Sequence, residues 1–462
     1  MNKKSEELRK IPTNVLSRSV SLLNLTLSAG TKYAGLKLTD FFATHADKDK
    51  RFHEFLQNQA HVLVNELGKL KGSIMKAGQL LSVYGEHFFP PEVNRVLKAL
   101  QSDSHPVSWS EMKKVLVTQL GEETLQRLDI DEKPIAAASL GQVYRARIKA
   151  TGESLALKVQ YPGVDKAINS DLRSLKTIFS ISHLVPSGSF DFDEIFSEIR
   201  MMLNKEVDYL REIESVDTYR EKLRSDSRFI VPKTYQEFTT KRVLALSDED
   251  GLALDSQEVM NLPQLEKNKL CASIAELMFQ EIFEWRMVQT DPHFGNYKVR
   301  IEDGVPRLVL LDFGAVRIFP KRYIEPFARL VAAAMEGDEE TIFQAGVQLG
   351  FLQENDNEKV RKLFAKICFI AIEGFQENYE SPRWDGSEEG PHPYAWGETK
   401  LLDRLAELTR DAIFTFKLRT PPREAIFLDR KMVGTYTILS KLGLRLGPRK
   451  MLAHYLEKAL HG

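Results

Sequence analysis

The spacing between two short aspartate motifs constrains the fold more than any other feature of this sequence. TDPHFGN covers residues 290–296 and LDFG covers residues 311–314. Asp291 therefore stands five residues before Asn296 and 21 residues before Asp312. An aspartate and an asparagine at this separation, followed by Asp-Phe-Gly, position the acceptor and the metal in a large class of phosphoryl-transfer enzymes. Each motif alone is weak evidence, but their agreement in order and spacing predicts that chemistry.

Two earlier motifs stand where such an enzyme requires them. AAASLGQV, residues 136–143, aligns with the glycine-rich loop G-x-G-x-x-G-x-V but carries alanine at the first two glycine positions. LALK ends at Lys158, where V-A-I-K would end, in a predicted β-hairpin of residues 141–148 and 154–160. The four signatures predict an α+β, bilobal protein-kinase-like fold with a small β-containing N-lobe, a helical C-lobe and an N-terminal helical extension.

Phosphoryl transfer depends on positioning and charge neutralisation, which gives each polar residue a predicted role. Asp291 is the predicted catalytic residue that orients or deprotonates the acceptor, and Lys158 the predicted catalytic cation on phosphate oxygens. Asn296 and Asp312 offer the hard oxygen ligands that Mg²⁺ prefers, so ATP and Mg²⁺ are the predicted cofactors. Taken singly, Lys158 could be a snorkelling strand lysine and Asp312 a turn residue; the prediction depends on their joint occurrence.

Lys158 also requires a carboxylate to hold it. Glu206, in the helical run FSEIRMMLNKEVDYLRE, is the predicted partner, and Glu198 is the alternative. The predicted nucleotide site comprises Ala136, Ala137, Ala138, Ser139, Lys158, Glu206 and the gatekeeper Leu246.

Two departures from ordinary protein kinases argue against phosphorylation of proteins in trans. Gln289 and Thr290 replace the His and Arg that precede the catalytic aspartate, so control by a phosphorylated loop that contacts this Arg is not expected. No A-P-E follows Asp312, and residues 313–338 run almost straight into a helical pattern. We therefore expect no activation segment on which a protein substrate could lie.

Changes in periodicity divide the chain into four predicted segments. These are a basic amphipathic helix (1–42), a helical extension that carries KAGQ (43–128), a kinase-like N-lobe (129–250) and a helical kinase-like C-lobe (251–462). Further strands are predicted at RVLAL (242–246) and LVLL (308–311).

The N-terminal segment suggests either a membrane contact or internal packing. Residues 15–38 have helical apolar periodicity, and the first 37 residues carry seven Lys or Arg against two Glu. A basic helix with an apolar face can rest on an anionic membrane surface. No apolar run approaches the roughly 20 residues of a membrane-spanning helix, and no cleavable signal is recognised. We therefore expect a cytoplasmic protein, or one held peripherally at the inner membrane surface.

Composition excludes some other partners. Lys and Arg total 64 against 65 Asp and Glu, a net charge of −1, so no nucleic-acid partner is expected. Cys271 and Cys368 stand far apart, without a Cys-x-x-Cys pair or a Cys/His cluster. This spacing indicates a reducing compartment and no structural zinc.

With these motifs in place, the chain resembles the UbiB (AarF-like) family of atypical protein-kinase-like proteins, which is linked to ubiquinone biosynthesis. The resemblance spans about residues 55–445. The matching motifs are KAGQ (76–79, the K-x-G-Q hallmark), AAAS (136–139), KVQYPGV (158–164), EVDYLRE (206–212), TDPHFGN (290–296) and LDFG (311–314).

The resemblance implies ATPase rather than ordinary protein kinase activity, with the K-x-G-Q segment and its regulatory residues Lys76 and Gln79 over the active site. It also implies that Glu206 is the partner of Lys158 and that Glu212 lies near the K-x-G-Q segment. Implied partners are ATP, an isoprenoid lipid or quinone precursor, and quinone-biosynthesis enzymes. The chain departs from the family at SDEDG (247–251) and in reading QTDPHFGN where bacterial relatives commonly have HADPHPGN.

Three functions stay open from the sequence. The first is an ATP-hydrolysing, kinase-like enzyme that supports isoprenoid quinone or other lipid metabolism. The second is a nucleotide-binding pseudokinase that scaffolds lipid-modifying enzymes. The third is a small-molecule or lipid kinase, which only a phosphorylated metabolite would distinguish from an ATPase.

Overall fold

The computed structural model describes residues 73–85, 107–138, 140–181, 192–375, 394–415 and 422–461. The chain forms two compact units, Met1–Glu214 with Lys233–Asp248 and Ser215–Pro232 with Glu249–Gly462. The predictions for residues 15–38, for most of the helical extension and for Ser139 lie outside the described residues.

The described strands in chain order are β1 (Leu128–Ala138), β2 (Gly141–Ile148), β3 (Ser154–Gln160), β4 (Phe229–Ile230), β5 (Val243–Ser247), β6 (Leu252–Ala253), β7 (Met287–Gln289), β8 (Tyr297–Glu302), β9 (Val305–Leu310) and β10 (Val316–Ile318).

The described α-helices are α1 (Ser73–Gly85), α2 (Trp109–Gln126), α3 (Val164–Ile181), α4 (Phe192–Glu206), α5 (Tyr209–Lys222), α6 (Gln257–Met260), α7 (Gln264–Phe279), α8 (Lys321–Glu336), α9 (Glu339–Leu349), α10 (Glu358–Ala371), α11 (Leu401–Thr415), α12 (Arg423–Leu442) and α13 (Arg449–His461). The division between the two units falls within α5, after Glu214.

The first unit contains a four-stranded antiparallel sheet in the order β1-β2-β3-β5. The predicted hairpin is confirmed as β2 and β3, which a turn with Gly152 at φ 74° connects. RVLAL is confirmed as the strand β5. Helix α1, which carries KAGQ, packs against α3 and α4 and buries Ile74, Ala77 and Leu81 completely. The KAGQ segment therefore belongs to the packed core of the first unit.

The expectation of one continuous helical run through residues 196–212 is wrong. Helix α4 ends at Glu206 and α5 begins at Tyr209. At the break, the side-chain amide of Gln160 donates a hydrogen bond of 2.6 Å to the backbone carbonyl of Val207. This bond anchors the break to the end of β3, and helical periodicity on either side does not reveal it.

The second unit combines small β-elements with helices. One sheet has the order β4-β9-β8-β6, and β7 pairs with β10. LVLL is confirmed as the end of β9 and the residue that follows it, Leu311. In the turn between β8 and β9, Asp303 and Gly304 have φ values of 51° and 79°, in the left-handed region that tight hairpins use. The helical character predicted for the C-lobe is confirmed for the described residues after Pro320 by α8 to α13.

Each of the described helices is too short or too polar to cross the hydrocarbon core of a membrane.

Candidate active site

Lys158 is held by Glu212 in the first unit. The lysine lies in β3, paired across the sheet with Val143 and Leu244, and its Nζ lies 2.8 and 3.1 Å from the two carboxylate oxygens of Glu212. The side chain of Glu212 is only 2% exposed, and the ammonium group also lies 5.4 Å from the ring centroid of Tyr209. A buried carboxylate contacted through both oxygens fixes the direction of the lysine.

A second ion pair joins helix α1 to the end of α4. Lys76 Nζ lies 3.0 Å from Glu206 Oε1, with side-chain exposures of 9% and 21%. The structure gives Lys158 a different carboxylate from the predicted Glu206, since Glu212 binds Lys158 and Glu206 binds Lys76. The helix break explains the difference. Glu206 is the last residue of α4, which packs on α1, whereas Glu212 lies in the first turn of α5.

The alanine-rich segment is strand rather than loop. Ala136, Ala137 and Ala138 end β1 and pair with Val143, Gln142 and Gly141 of β2. The first two alanines are exposed and the third is half-buried. Gly141 is constrained by packing, because a Cβ there would overlap the backbone carbonyl oxygen of Val159. Leu246 lies in β5, buried and opposite Ala156.

Gln289 fixes the backbone of Asp291 in the second unit. Its side-chain carbonyl accepts a hydrogen bond from Asp291 N–H at 3.1 Å, and its side-chain amide donates to the Asp291 carbonyl at 3.2 Å. Gln289 is 5% exposed. The residue that replaces histidine therefore braces the segment 290–296, which we call the catalytic loop.

Thr290 attaches the catalytic loop to the chain that follows LDFG. Its backbone N–H and its hydroxyl both donate to the carbonyl of Ala315, at 3.2 and 2.8 Å. Only five residues separate Ala315 from the first residue of α8, Lys321. The expectation that the chain runs almost straight from LDFG into helix is therefore confirmed.

Asn296 and Asp312 lie at the same end of the β8–β9 hairpin. Tyr297 pairs with Leu310 in the hairpin, and one step beyond, Leu311 N–H donates to the Asn296 carbonyl at 3.0 Å. The side-chain nitrogen of Asn296 donates to the Asp291 carbonyl at 2.8 Å. The hairpin register thus brings together Asp291, Asn296 and Asp312 in one short region of the second unit.

The conformation of the LDFG turn is fixed from both sides. Asp312 Oδ1 accepts a hydrogen bond of 2.9 Å from Gly314 N–H. Phe313 is buried and contacts Tyr219 edge to face, with ring centroids 5.0 Å apart. The contact with Tyr219 holds Phe313 in the core, while Asp312 stays half-buried.

The donor set suits magnesium. Asn296 uses its amide nitrogen for the Asp291 carbonyl, so its Oδ1 and the carboxylate of Asp312 are the oxygen atoms offered to a cation. Among the described residues, no group of three or more His, Cys, Asp or Glu could form an all-protein metal cage. Magnesium at nucleotide sites keeps several waters and takes one or two protein ligands besides phosphates, so this set fits it.

Sequence reasoning missed a contact to Asp291 itself. Arg430 of α12 places a guanidinium nitrogen 2.6 Å from Asp291 Oδ1, and each side chain is 15% exposed. Its neighbour Lys431 forms an ion pair with Glu281, with both side chains 2% exposed or less. No local sequence signal marks Arg430, because a basic residue in an amphipathic helix is ordinarily solvated.

Glu281 lies in the π-helical turn Gln280–Trp285 that leads into β7. The hydroxyl of Tyr219 donates to it at 2.8 Å. Burial raises the pKa of Glu281, although Lys431 and Tyr219 oppose this shift. Burial also raises the pKa of Tyr219 well above its ordinary value. The cluster braces the chain just before the catalytic loop.

Comparison with known proteins places the chain in a family. Residues 99–346 match the ABC1 atypical kinase-like domain. The chain belongs to the ABC1 atypical kinase-like family. Membership confirms the sequence resemblance and the α+β kinase-like fold.

Named relatives extend the similarity over most of the chain. It is 30% identical to the atypical kinase COQ8B, mitochondrial, of Danio rerio, over 98% of this chain and 70% of the relative. It is 27% identical to the atypical kinase COQ8, mitochondrial, of Saccharomyces cerevisiae, over 96% of this chain and 86% of the relative. The structure of the Rv3197–erythromycin complex from Mycobacterium tuberculosis aligns with a TM-score of 0.60 and 22% identity, over 90% of this chain and all of that one.

Proposed function

We propose that this ABC1-family protein binds ATP with magnesium and hydrolyses it, as an atypical kinase-like ATPase that supports isoprenoid quinone or related lipid metabolism. The observation that carries the proposal is the grouping of Asp291, Asn296 and Asp312 around one end of the β8–β9 hairpin. A general acid-base residue and two hard oxygen ligands at this spacing are the parts that phosphoryl transfer requires.

Contacts in the structure support the roles proposed for Lys158 and Asp291. Lys158, fixed by Glu212, neutralises phosphate oxygens of the nucleotide. Asp312 and the amide oxygen of Asn296 hold magnesium, which neutralises charge on the phosphates when bound. Asp291, whose backbone Gln289 braces, orients the attacking water or hydroxyl group. The exposed alanines of β1 contribute backbone and methyl groups to the nucleotide site.

Two observations favour hydrolysis over phosphorylation of proteins in trans. Thr290 is bonded to Ala315 and the chain enters α8 soon afterwards, which leaves little chain for an activation segment. The Lys76–Glu206 ion pair holds helix α1 in the first unit, and we propose that its KAGQ segment restricts the access of a protein substrate. Water and small acceptors are therefore the proposed substrates alongside ATP.

The metabolic assignment rests on the named relatives. Two of them are COQ8-type atypical kinases, and the family resemblance links such proteins to ubiquinone biosynthesis. Isoprenoid quinone precursors, quinone-biosynthesis enzymes and an anionic membrane surface are therefore the proposed partners.

The test measures the fate of the γ-phosphate of radiolabelled ATP. The purified protein, with magnesium and with or without anionic vesicles that contain an isoprenoid phenol, should release labelled inorganic phosphate. Asp291→Asn should reduce release by about 100-fold or more, since it removes the group that orients the acceptor. Label in a lipid-soluble product would instead assign a lipid kinase. Absence of both products, with nucleotide still bound, would assign a pseudokinase.

A further inference from the structure

Helix α12 contacts the catalytic loop at three points along one face. Arg430 binds Asp291, the backbone of Gly434 meets Pro292, and Lys441 Nζ lies 4.4 Å from the ring centroid of Phe294. Residues four and eleven positions apart lie within about 40° of each other around an α-helix. The helix therefore follows the loop along its length, and its contacts are not isolated.

The approach at Gly434 is close. A Cβ at this position would lie 2.5 Å from the carbonyl oxygen of Pro292 and 2.7 Å from a ring carbon of the same residue. Only glycine permits this separation, because any side chain would force the helix and the loop apart. The close approach sets the distance over which Arg430 reaches Asp291.

The backbone of Asp291 is already held without Arg430. Gln289 bonds to its N–H and carbonyl, and Asn296 bonds to the same carbonyl. These bonds fix the position of the residue but not the rotation of its carboxylate. The guanidinium of Arg430 bonds to Oδ1 and so constrains that rotation. The planar guanidinium presents its donors in a rigid fork, which suits this role.

We propose that Arg430 is a positioning residue for phosphoryl transfer, which fixes the carboxylate of Asp291 in the orientation that the acceptor requires. The inference rests on the proposed function, in which Asp291 acts on the acceptor. It assigns to α12, which lies outside the residues that match the family domain, a share in the active site. A purely structural ion pair would stabilise the fold without any effect specific to turnover.

The experiment compares Arg430→Ala, Arg430→Lys and Arg430→Gln with the wild type in magnesium-dependent phosphate release. Arg430→Ala should lower kcat by about 10- to 100-fold, since small misplacements of a catalytic group have such effects, with the KM for ATP changed less than about twofold. Arg430→Lys should restore part of the rate. The matched control is Arg445→Ala, whose exposed side chain pairs with Glu398.

Two further measurements separate positioning from stability. Added methylguanidinium should raise kcat of Arg430→Ala but not of Arg445→Ala or the wild type. In an Asp291→Asn background, Arg430→Ala should cause no further loss, because both changes remove the same oriented carboxylate. If Arg430→Ala does not fold, the test uses Arg430→Lys and Arg430→Gln. Their kcat values, each corrected for the fraction of folded protein, then show whether Arg430 has a positioning role.

The outcomes are distinguishable. An unchanged or raised kcat in folded Arg430 variants, or an equal loss in the Asp291→Asn background, would overturn the inference while leaving the proposed function intact. A wild-type protein without magnesium-dependent turnover would overturn the proposed function, and this inference with it.

Discussion

Glu206 and Glu212 are six residues apart, yet they bind different lysines. The helix that carries each carboxylate decides which lysine it contacts. Glu206 ends α4, which packs on α1, so it contacts Lys76. Glu212 lies in the first turn of α5 and contacts Lys158 in β3. The residue types of the site were predictable from motif spacing. Their pairing was not, because it depends on the break at Val207 and Asp208.

We expect the two glutamates to have different effects when neutralised. Glu212→Gln should weaken binding of Mg-ATP by about tenfold or more, since it leaves Lys158 without its buried carboxylate. Glu206→Gln should affect affinity far less and should instead increase amide hydrogen exchange in α1. Calorimetric titration and hydrogen-exchange mass spectrometry measure the two effects. The control is Glu214→Gln, which changes an exposed residue of α5, the helix that also carries Glu212. A larger affinity loss for Glu206→Gln would contradict the observed pairing.

At the scale of elements, local patterns predicted the strands better than the contacts between helices. The hairpin of β2 and β3, the strand β5 and the helical character of the C-lobe followed from alternation, turn residues and periodicity. The path of α12 along the catalytic loop did not, because it depends on Gly434 and Pro292, which are distant in sequence. A glycine inside a helical pattern gives no sign of which backbone it approaches.

Gly434→Ala tests this contact. In an exposed helix interior the change would stabilise by up to about 1 kcal/mol. Here the added methyl group meets Pro292, so we expect destabilisation by about 1–3 kcal/mol together with slower ATP turnover. Urea denaturation gives the free energy of unfolding. Thr437→Ala, an exposed position of α12, should change it by less than about 0.5 kcal/mol. Stabilisation by Gly434→Ala would show that α12 and the loop do not approach as described.

At the scale of the whole molecule, the order of motifs was sufficient to predict the family and its fold. Asp291, Asn296, Asp312 and Lys158 are each placed by a local turn, loop or strand, so short sequence patterns carry information about them. Arg430 and the contact between Lys76 and Glu206 belong to packing between helices. The motifs KAGQ and EVDYLRE contain the two residues of that pair, but they do not reveal the contact. The residues proposed to perform the chemistry were thus more predictable than the contacts that hold them.

The most direct test of the central claim is the thermal stabilisation of the protein by ATP, measured with and without magnesium. The wild type and Asp291→Asn should both gain a magnesium-dependent rise in Tm, because the proposed role of Asp291 concerns the acceptor and not the metal. Asp312→Asn should lose this rise, because it removes the main anionic ligand of the ion. A rise of unchanged size and metal dependence in Asp312→Asn would contradict the assignment of the metal site and, with it, the account of this protein as a magnesium-dependent ATPase.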